Sequence, residues 1–313
     1  MPKLFSARLN EAIISKQCAL VVGLDPRVQS LPEELLAAAI STHGNTLQAA
    51  AAAVLEFNKG LIDALSDIVP AIKPQLAFYE QLGVAGMQAF AGTVTYAREQ
   101  GLLVIADGKR NDIGSTAAGY ADAYLGLTAL TTNESARASE CDALTINPYL
   151  GSDGVMPFIE SALQHSTGLF VLVKTSNPSS SELQNLVSNG KMIYEIVGEL
   201  VHTWGKDYID AFGYSPVGAV VGATFPAEAH VLRSIMPHSI FLVPGFGAQG
   251  GGPKDVVPCF NTDGLGAIVN SSRDIIFAFR KRSGDYKSKA REAAIESRDA
   301  INKALGEAGK NAW

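Results

Sequence analysis

The stretch LLVIADGKRNDIGST (residues 102–116) runs from apolar, partly β-branched residues into a charged cluster and then into small, helix-compatible residues. Its apolar part is continuous rather than alternating, which suits a strand covered on both faces in a parallel sheet. The same pattern recurs along the chain. Upstream lie ALVVGLD from Ala19 and IVPAIKP from Ile68; downstream lie DALTINP from Asp142, GLFVLVKTS from Gly168, VGAVVGA from Val217, SIFLVPGFG from Ser239 and GAIVNSSR from Gly266. Between these runs are helix-compatible segments over 47–65, 81–100, 116–130, 191–204 and 227–236. Strands alternating with helices are βαβ units. Eight of them predict an α/β fold, a (β/α)8 TIM barrel, as a single domain over residues 1–313. A helical lead-in (about 1–17) and a closing helix (about 285–308) would flank it. A doubly wound open sheet is the alternative, but the first run is followed by GLDPR and not by the glycine fingerprint of that fold.

Composition narrows the function classes. Of 313 residues, 47% are apolar and 18% charged, which provides for a buried core and excludes a disordered chain. Lys and Arg number 25 against 31 Asp and Glu; the net charge of -6 speaks against a nucleic-acid binder but leaves room for a local basic site. Cys18, Cys141 and Cys259 are too scattered for a disulfide framework or a zinc cluster. The first thirty residues show no secretory pattern, and no apolar stretch approaches the roughly 20 residues of a membrane span. The expectation is a soluble protein of a reducing compartment, the cytoplasm, with no membrane partner. The five histidines show no ligand spacing and stand away from the ends of the apolar runs.

In a barrel, the C-terminal ends of the strands form the catalytic face, so the charges there carry the argument. Alternation along a strand puts Asp107 and Lys109 on one face. Lys73 ends the preceding run and lies on the neighbouring strand if consecutive strands are adjacent. Asp112 follows in the loop, and Asp25 ends the first run. A buried ion-pair network, with Asp112 as a helix N-cap and Asp25 in an Asp-Pro turn, is the competing reading. Gathering this many charges at one rim is costly, and such clusters mark catalysis more than stability. At the far side, PGFGAQGGGP follows the seventh run and Arg273 follows the eighth. Barrels often bind phosphate with these two loops, through backbone amides and helix starts. Gln249 and Arg273 are the expected phosphate ligands, with Ser272 contributing through its backbone.

The pattern Asp107-x-Lys109-x-x-Asp112, with GLDPR, AIKPQLAFYE and PGFGAQGG, resembles the orotidine 5'-phosphate decarboxylase family from about Leu20 to Arg273. DGKRNDIGSTA, INPYLG and KTSNPSS are similar to its longer, mainly bacterial branch. Asn111 departs from the glycine of that branch and leaves the charged positions intact. The resemblance implies decarboxylation of orotidine 5'-phosphate to UMP and CO2, the last step of UMP synthesis, without a cofactor or a metal. It implies that Lys109 stabilises the C6 carbanion and protonates it, with Asp107 beside the substrate carboxylate. Lys73 and Asp112 would complete the charge array and bind ribose hydroxyls, and Asp25 would bind the ribose. Ser176, otherwise an ordinary turn residue, would read the pyrimidine edge. It further implies a homodimer in which Asp112 and Thr116 reach the partner's site. Lys174 and Asn147 end their runs without an assigned role.

Other readings of the barrel remain to be separated from this one. Magnesium-dependent sugar-phosphate decarboxylases and aldolases share the Asp-Lys-Asp pattern but carry a metal-binding glutamate where Lys73 stands, and a lysine there repels the metal. A Schiff-base aldolase needs a neutral lysine, which two flanking aspartates oppose. A barrel that merely binds nucleotides would have no need of the intact charge array.

Overall fold

The apolar runs become the strands of one closed, all-parallel barrel in the computed structural model, which describes residues 3–247 and 249–313. The strands are β1 (Leu20–Leu24), β2 (Ala71–Pro74), β3 (Leu103–Arg110), β4 (Ala143–Ile146), β5 (Gly168–Lys174), β6 (Ser215–Val221), β7 (Ser239–Val243) and β8 (Ala267–Ser271). They neighbour one another in chain order, and β8 closes on β1. The expected (β/α)8 barrel is therefore the observed fold. Residues of both parities along β1, β4, β6, β7 and β8 are buried, because side chains fill the interior and helices cover the outside. No helix among the described residues is long and apolar enough to cross a membrane.

Helix α1 (Phe5–Lys16) closes the N-terminal end of the barrel. Phe5 packs edge-on against Phe170 of β5, and Arg8 pairs with the buried Asp142 at 2.6 Å. Two helices follow β1, α2 (Glu33–His43) and α3 (Leu47–Leu65), and the chain ends in a long helix, Tyr286–Glu307, whose Tyr286 lies on Phe57 of α3. Gly60 of α3 permits this approach, since a Cβ there would sit 1.9 Å from the Tyr286 hydroxyl. The helix expected over 116–130 is shorter: it spans Gly114–Tyr124, after which Thr128–Ala129 pairs with Ser135–Ala136 in a small hairpin. Gly126 explains the stop, because its amide turns back to the Ala121 carbonyl and a Cβ there would meet Ser161 Oγ at 2.5 Å.

Two departures from regular register shape the catalytic rim. Between β3 and β4, Ala106 pairs with Leu144 but Arg110 pairs with Ile146, so β3 advances four residues while β4 advances two. Within this slip Lys109 takes φ +47°, a left-handed conformation that costs a non-glycine residue about 1–3 kcal/mol and that gathers at functional sites. Between β5 and β6, Leu172 pairs with Val220 and Lys174 with Val221, which places one extra residue in β5. That bulge reverses the facing of Lys174, so it leaves the interior that Leu172 and Val220 line.

A buried guanidinium stabilises the opposite end. Arg233 donates to the carbonyls of Cys259, Met236, Ser239 and Gly266 at 2.7–3.0 Å and lies 3.6 Å over the Phe241 ring. Burial pushes its pKa down to about 10, with Cys259 the leading opposing influence. Arg233→Met would take a donor from each of these carbonyls, although those of Met236 and Gly266 keep the amides of Ser239 and Phe241. The expected loss is about 3 kcal/mol or more of unfolding free energy, read by urea titration. An unchanged midpoint would show that water replaces the guanidinium.

Candidate active site

The C-terminal ends of the strands surround a cavity of ≈ 570 Å³, a size suited to a nucleotide-sized ligand. The register built from sequence places its charges. Gly23 of β1 lies beside Lys73 of β2, and Gln75 bridges to Asp107 of β3. Lys73 Nζ reaches Asp107 Oδ2 at 2.6 Å, and Lys109 Nζ reaches Asp107 Oδ1 at 2.6 Å. Gln75 Nε2 donates to Oδ2 at 3.0 Å and Thr145 Oγ1 to Oδ1 at 2.8 Å. Asp107 is thus buried but accepts four hydrogen bonds. Burial alone would raise its pKa; Lys73 and Lys109 outweigh that and hold the carboxyl well below the usual range. Burial likewise works to lower Lys73, and Asp107 and then Asp25 overcome it, so its pKa is raised. Both groups are therefore ionised at neutral pH.

The two lysines differ in access. The side chain of Lys73 is 5% exposed and that of Lys109 is 45% exposed, so Lys109 presents the ammonium that a ligand meets. Asp25 lines the same cavity, and its Oδ1 is buried without a hydrogen-bond partner among the described residues. A half-buried carboxylate at the cavity wall is of the type that accepts ligand hydroxyls.

The residues expected to bind phosphate lie across the cavity. Ser176 Oγ donates to Gln249 Oε1 at 2.8 Å, which ties the loop after β5 to the loop after β7. Arg273 opens the short helix Arg273–Ile276, exposed at the cavity wall beside Ser272, while its neighbour Asp274 pairs with Lys281. The glycine-rich loop works differently from expectation. The amides of Gly247, Gly250 and Gly251 bond to carbonyls within the loop, so these glycines supply the turn and not free donors for an anion. Gly245, Gly247 and Gly250 have φ of +96°, +74° and +101°, which explains the residue type. Ala248 lies outside the described residues.

Not every expected site residue enters this cavity. Asp112 and Thr116 stand outside it: Asp112 Oδ1 accepts from the amide of Ile113, and Thr116 is exposed on the first turn of Gly114–Tyr124. Asp112 is not the N-cap of that helix, which is Ile113. Asn147 closes a local turn by accepting from Tyr149 N at 3.0 Å and does not line the cavity. Lys174 is fully buried outside it, donating to Asn185 at 2.7 Å and Ser180 at 3.1 Å with its ammonium 4.3 Å from the Phe225 ring centre. It anchors the segment whose Ser179, Ser180 and Gln184 cover the cavity. Sequence reading missed Gln75, Thr145 and Asn270 as cavity residues. Each is a single polar residue in or at the end of an apolar run, and inward parity at the rim was the one available signal. None of the five histidines lines the cavity, and no cluster of three or more His, Cys, Asp or Glu among the described residues is arranged to hold a metal ion.

Comparison with known proteins converges on one group. Residues 20–284 match the model of the orotidine 5'-phosphate decarboxylase / HUMPS family. Orotidine 5'-phosphate decarboxylase of Rhodopirellula baltica is 46% identical over 304 residues, covering 95% of this chain and 98% of its own. The protein of that name from Caldicellulosiruptor bescii is 41% identical, covering 96% and 99%. The solved structure of Leishmania donovani OMP decarboxylase superposes with a TM-score of 0.72 at 32% identity, over 96% of this chain and 98% of that one. With the charge array on adjacent strands and a match that spans the whole barrel, the chain belongs to the orotidine 5'-phosphate decarboxylase family.

Proposed function

We propose that this protein converts orotidine 5'-phosphate to UMP and CO2, and that the Lys73–Asp107–Lys109 array carries the chemistry. The C6–carboxylate bond breaks heterolytically, CO2 leaves, and the electron pair remains in an in-plane orbital at C6 that the ring cannot delocalise. Stabilisation must come from charge already in place. The exposed ammonium of Lys109 supplies it and then transfers its proton to C6, giving UMP; Lys109 is reprotonated from water. Asp107, held ionised, stands beside the substrate carboxylate and disfavours the bound ground state relative to the carbanion. Lys73 places a cation on Asp107 Oδ2, which opposes a divalent metal there, and this favours the decarboxylase over a magnesium-dependent relative on the same barrel. No cofactor is needed in this scheme.

Asp25 takes a ribose hydroxyl, Ser176 the pyrimidine edge, and Gln249, Arg273 and the backbone of Ser272 the phosphate. Arg273→Ala removes a charge-assisted contact that also anchors the transition state. It is expected to lower kcat/KM about ten- to a hundred-fold. Unchanged steady-state kinetics would remove Arg273 from the phosphate site.

The active unit is a homodimer with shared sites. Asp112 and Thr116 stand outside their own cavity, and Ile113, Tyr149 and Leu150, which follow the adjacent strands β3 and β4, are 54%, 75% and 44% exposed. Gly154 lets these loops approach, since a Cβ there would lie 2.9 Å from the Asp112 carbonyl and 3.1 Å from Leu150 Cβ. A second copy seated there would bring its Asp112 and Thr116 to this site and cover the apolar side chains. The buried free thiols of Cys18, Cys141 and Cys259 and the net charge of -6 support a cytoplasmic enzyme without a nucleic-acid partner. The direct test is purified protein with orotidine 5'-phosphate in the presence of EDTA, followed by pyrimidine absorbance and UMP formation. Rapid conversion is the expected result; folded protein that binds UMP without turnover would leave a nucleotide-binding barrel.

A further inference from the structure

The left-handed residue of β3 is the one whose side chain does the chemistry, and a single hydroxyl holds it there. Thr145 of β4 is 1% exposed and sits within the register slip between Ala106/Leu144 and Arg110/Ile146. Its Oγ1 accepts from the backbone amide of Lys109 at 2.9 Å and donates to Asp107 Oδ1 at 2.8 Å. In a regular parallel ladder the amide of a β3 residue would find a carbonyl of β4. The slip denies Lys109 that acceptor, and the threonine hydroxyl replaces it. The same Oδ1 receives the Lys109 ammonium at 2.6 Å. Thr145, Lys109 and Asp107 therefore close a ring in which backbone, side chain and carboxylate fix one another.

We propose that Thr145 is a positioning residue for decarboxylation: its hydroxyl locks the strained Lys109 backbone and one oxygen of Asp107 so that the Lys109 ammonium is aimed into the cavity before substrate arrives. A hydroxyl is the smallest group able to accept from the amide and donate to the carboxylate together. Valine keeps the shape and loses both bonds. Asp107 would keep its bonds from Lys73 and Gln75 on Oδ2, so the array would remain charged, but its Oδ1 and the Lys109 main chain would lose their common tether. Lys109, with nearly half its side chain exposed, would be free to leave the productive geometry. A displacement of this order at a reacting group lowers the chemical step more than ground-state binding.

This inference rests on the reading of Lys109 as the reacting group, and its test separates the two. Thr145→Val is expected to lower kcat about 10- to 100-fold, while UMP affinity stays within about two-fold of wild type because the phosphate end is untouched. Thr145→Ser, which restores the hydroxyl, is expected to recover kcat to within about three-fold. A Thr145→Val enzyme with wild-type kcat would overturn the proposal. So would parallel losses of kcat and UMP affinity that serine fails to rescue, since those describe a packing role. A crystal structure of Thr145→Val reads the same proposal without substrate: Lys109 should leave φ near +47° and its ammonium should leave Asp107 Oδ1. Unchanged Lys109 geometry would refute it, even if wild-type protein proved inactive toward orotidine 5'-phosphate and the functional reading fell on its own.

Discussion

Lys109→Ala is expected to abolish decarboxylation, by at least ~10⁴-fold in kcat, and to leave UMP binding close to wild type. The magnitude follows from two roles lost at once. Removal of the ammonium withdraws the charge that stabilises the carbanion, typically worth 10²–10³-fold, and withdraws the acid that protonates C6, typically worth a further 10²–10⁴-fold. UMP lacks the carboxylate, and in the proposed reading its affinity draws on ribose and phosphate contacts of Asp25, Gln249 and Arg273, which follow other strands, so it reports whether the cavity survives. Lys109→Arg sharpens the result. It keeps a positive charge but replaces a compact ammonium by a planar guanidinium that does not give up its proton. It should therefore remain severely impaired. Substantial turnover in Lys109→Ala would take the proton-donor role from Lys109.

The fold was readable because the barrel buries both faces of its strands, which turns each strand into an unbroken apolar run such as ALVVGLD or SIFLVPGFG. The core of the site was readable for a related reason. Lys73, Asp107 and Lys109 interrupt or end such runs, and charge is expensive at those positions unless it is used. What escaped is what strand periodicity cannot carry. Simple alternation brings Lys109 to the face of Asp107 by pleat; in the structure it arrives by a two-residue slip and a left-handed backbone. The bulge in β5 turns Lys174 away from the cavity by the same kind of irregularity. Thr145 and Gln75 are uncharged, so nothing in composition set them apart, although they supply half of the hydrogen bonds to Asp107. The glycines after β7 read as amide donors for a phosphate, but their amides serve the turn itself.

Asp112 and Thr116 differ from these, because they stand outside the cavity of their own chain. With the proposed shared-site dimer, their placement yields a sharp expectation. Lys109→Ala and Asp112→Ala proteins, each nearly inactive alone, should recover about a quarter of wild-type activity when unfolded together in equal amounts and refolded. Random reassortment makes half of the dimers hybrid. In each hybrid one site lacks both residues, while the other takes Lys109 from one subunit and Asp112 from its partner and is complete. Only a site assembled across a two-fold interface behaves this way. If each chain built its own site, every site in the mixture would still lack one of the two residues and the mixture would stay inactive. An active Asp112→Ala protein, by contrast, would return Asp112 to its local bond with the Ile113 amide and leave the charge array of Lys73, Asp107 and Lys109 complete within one chain.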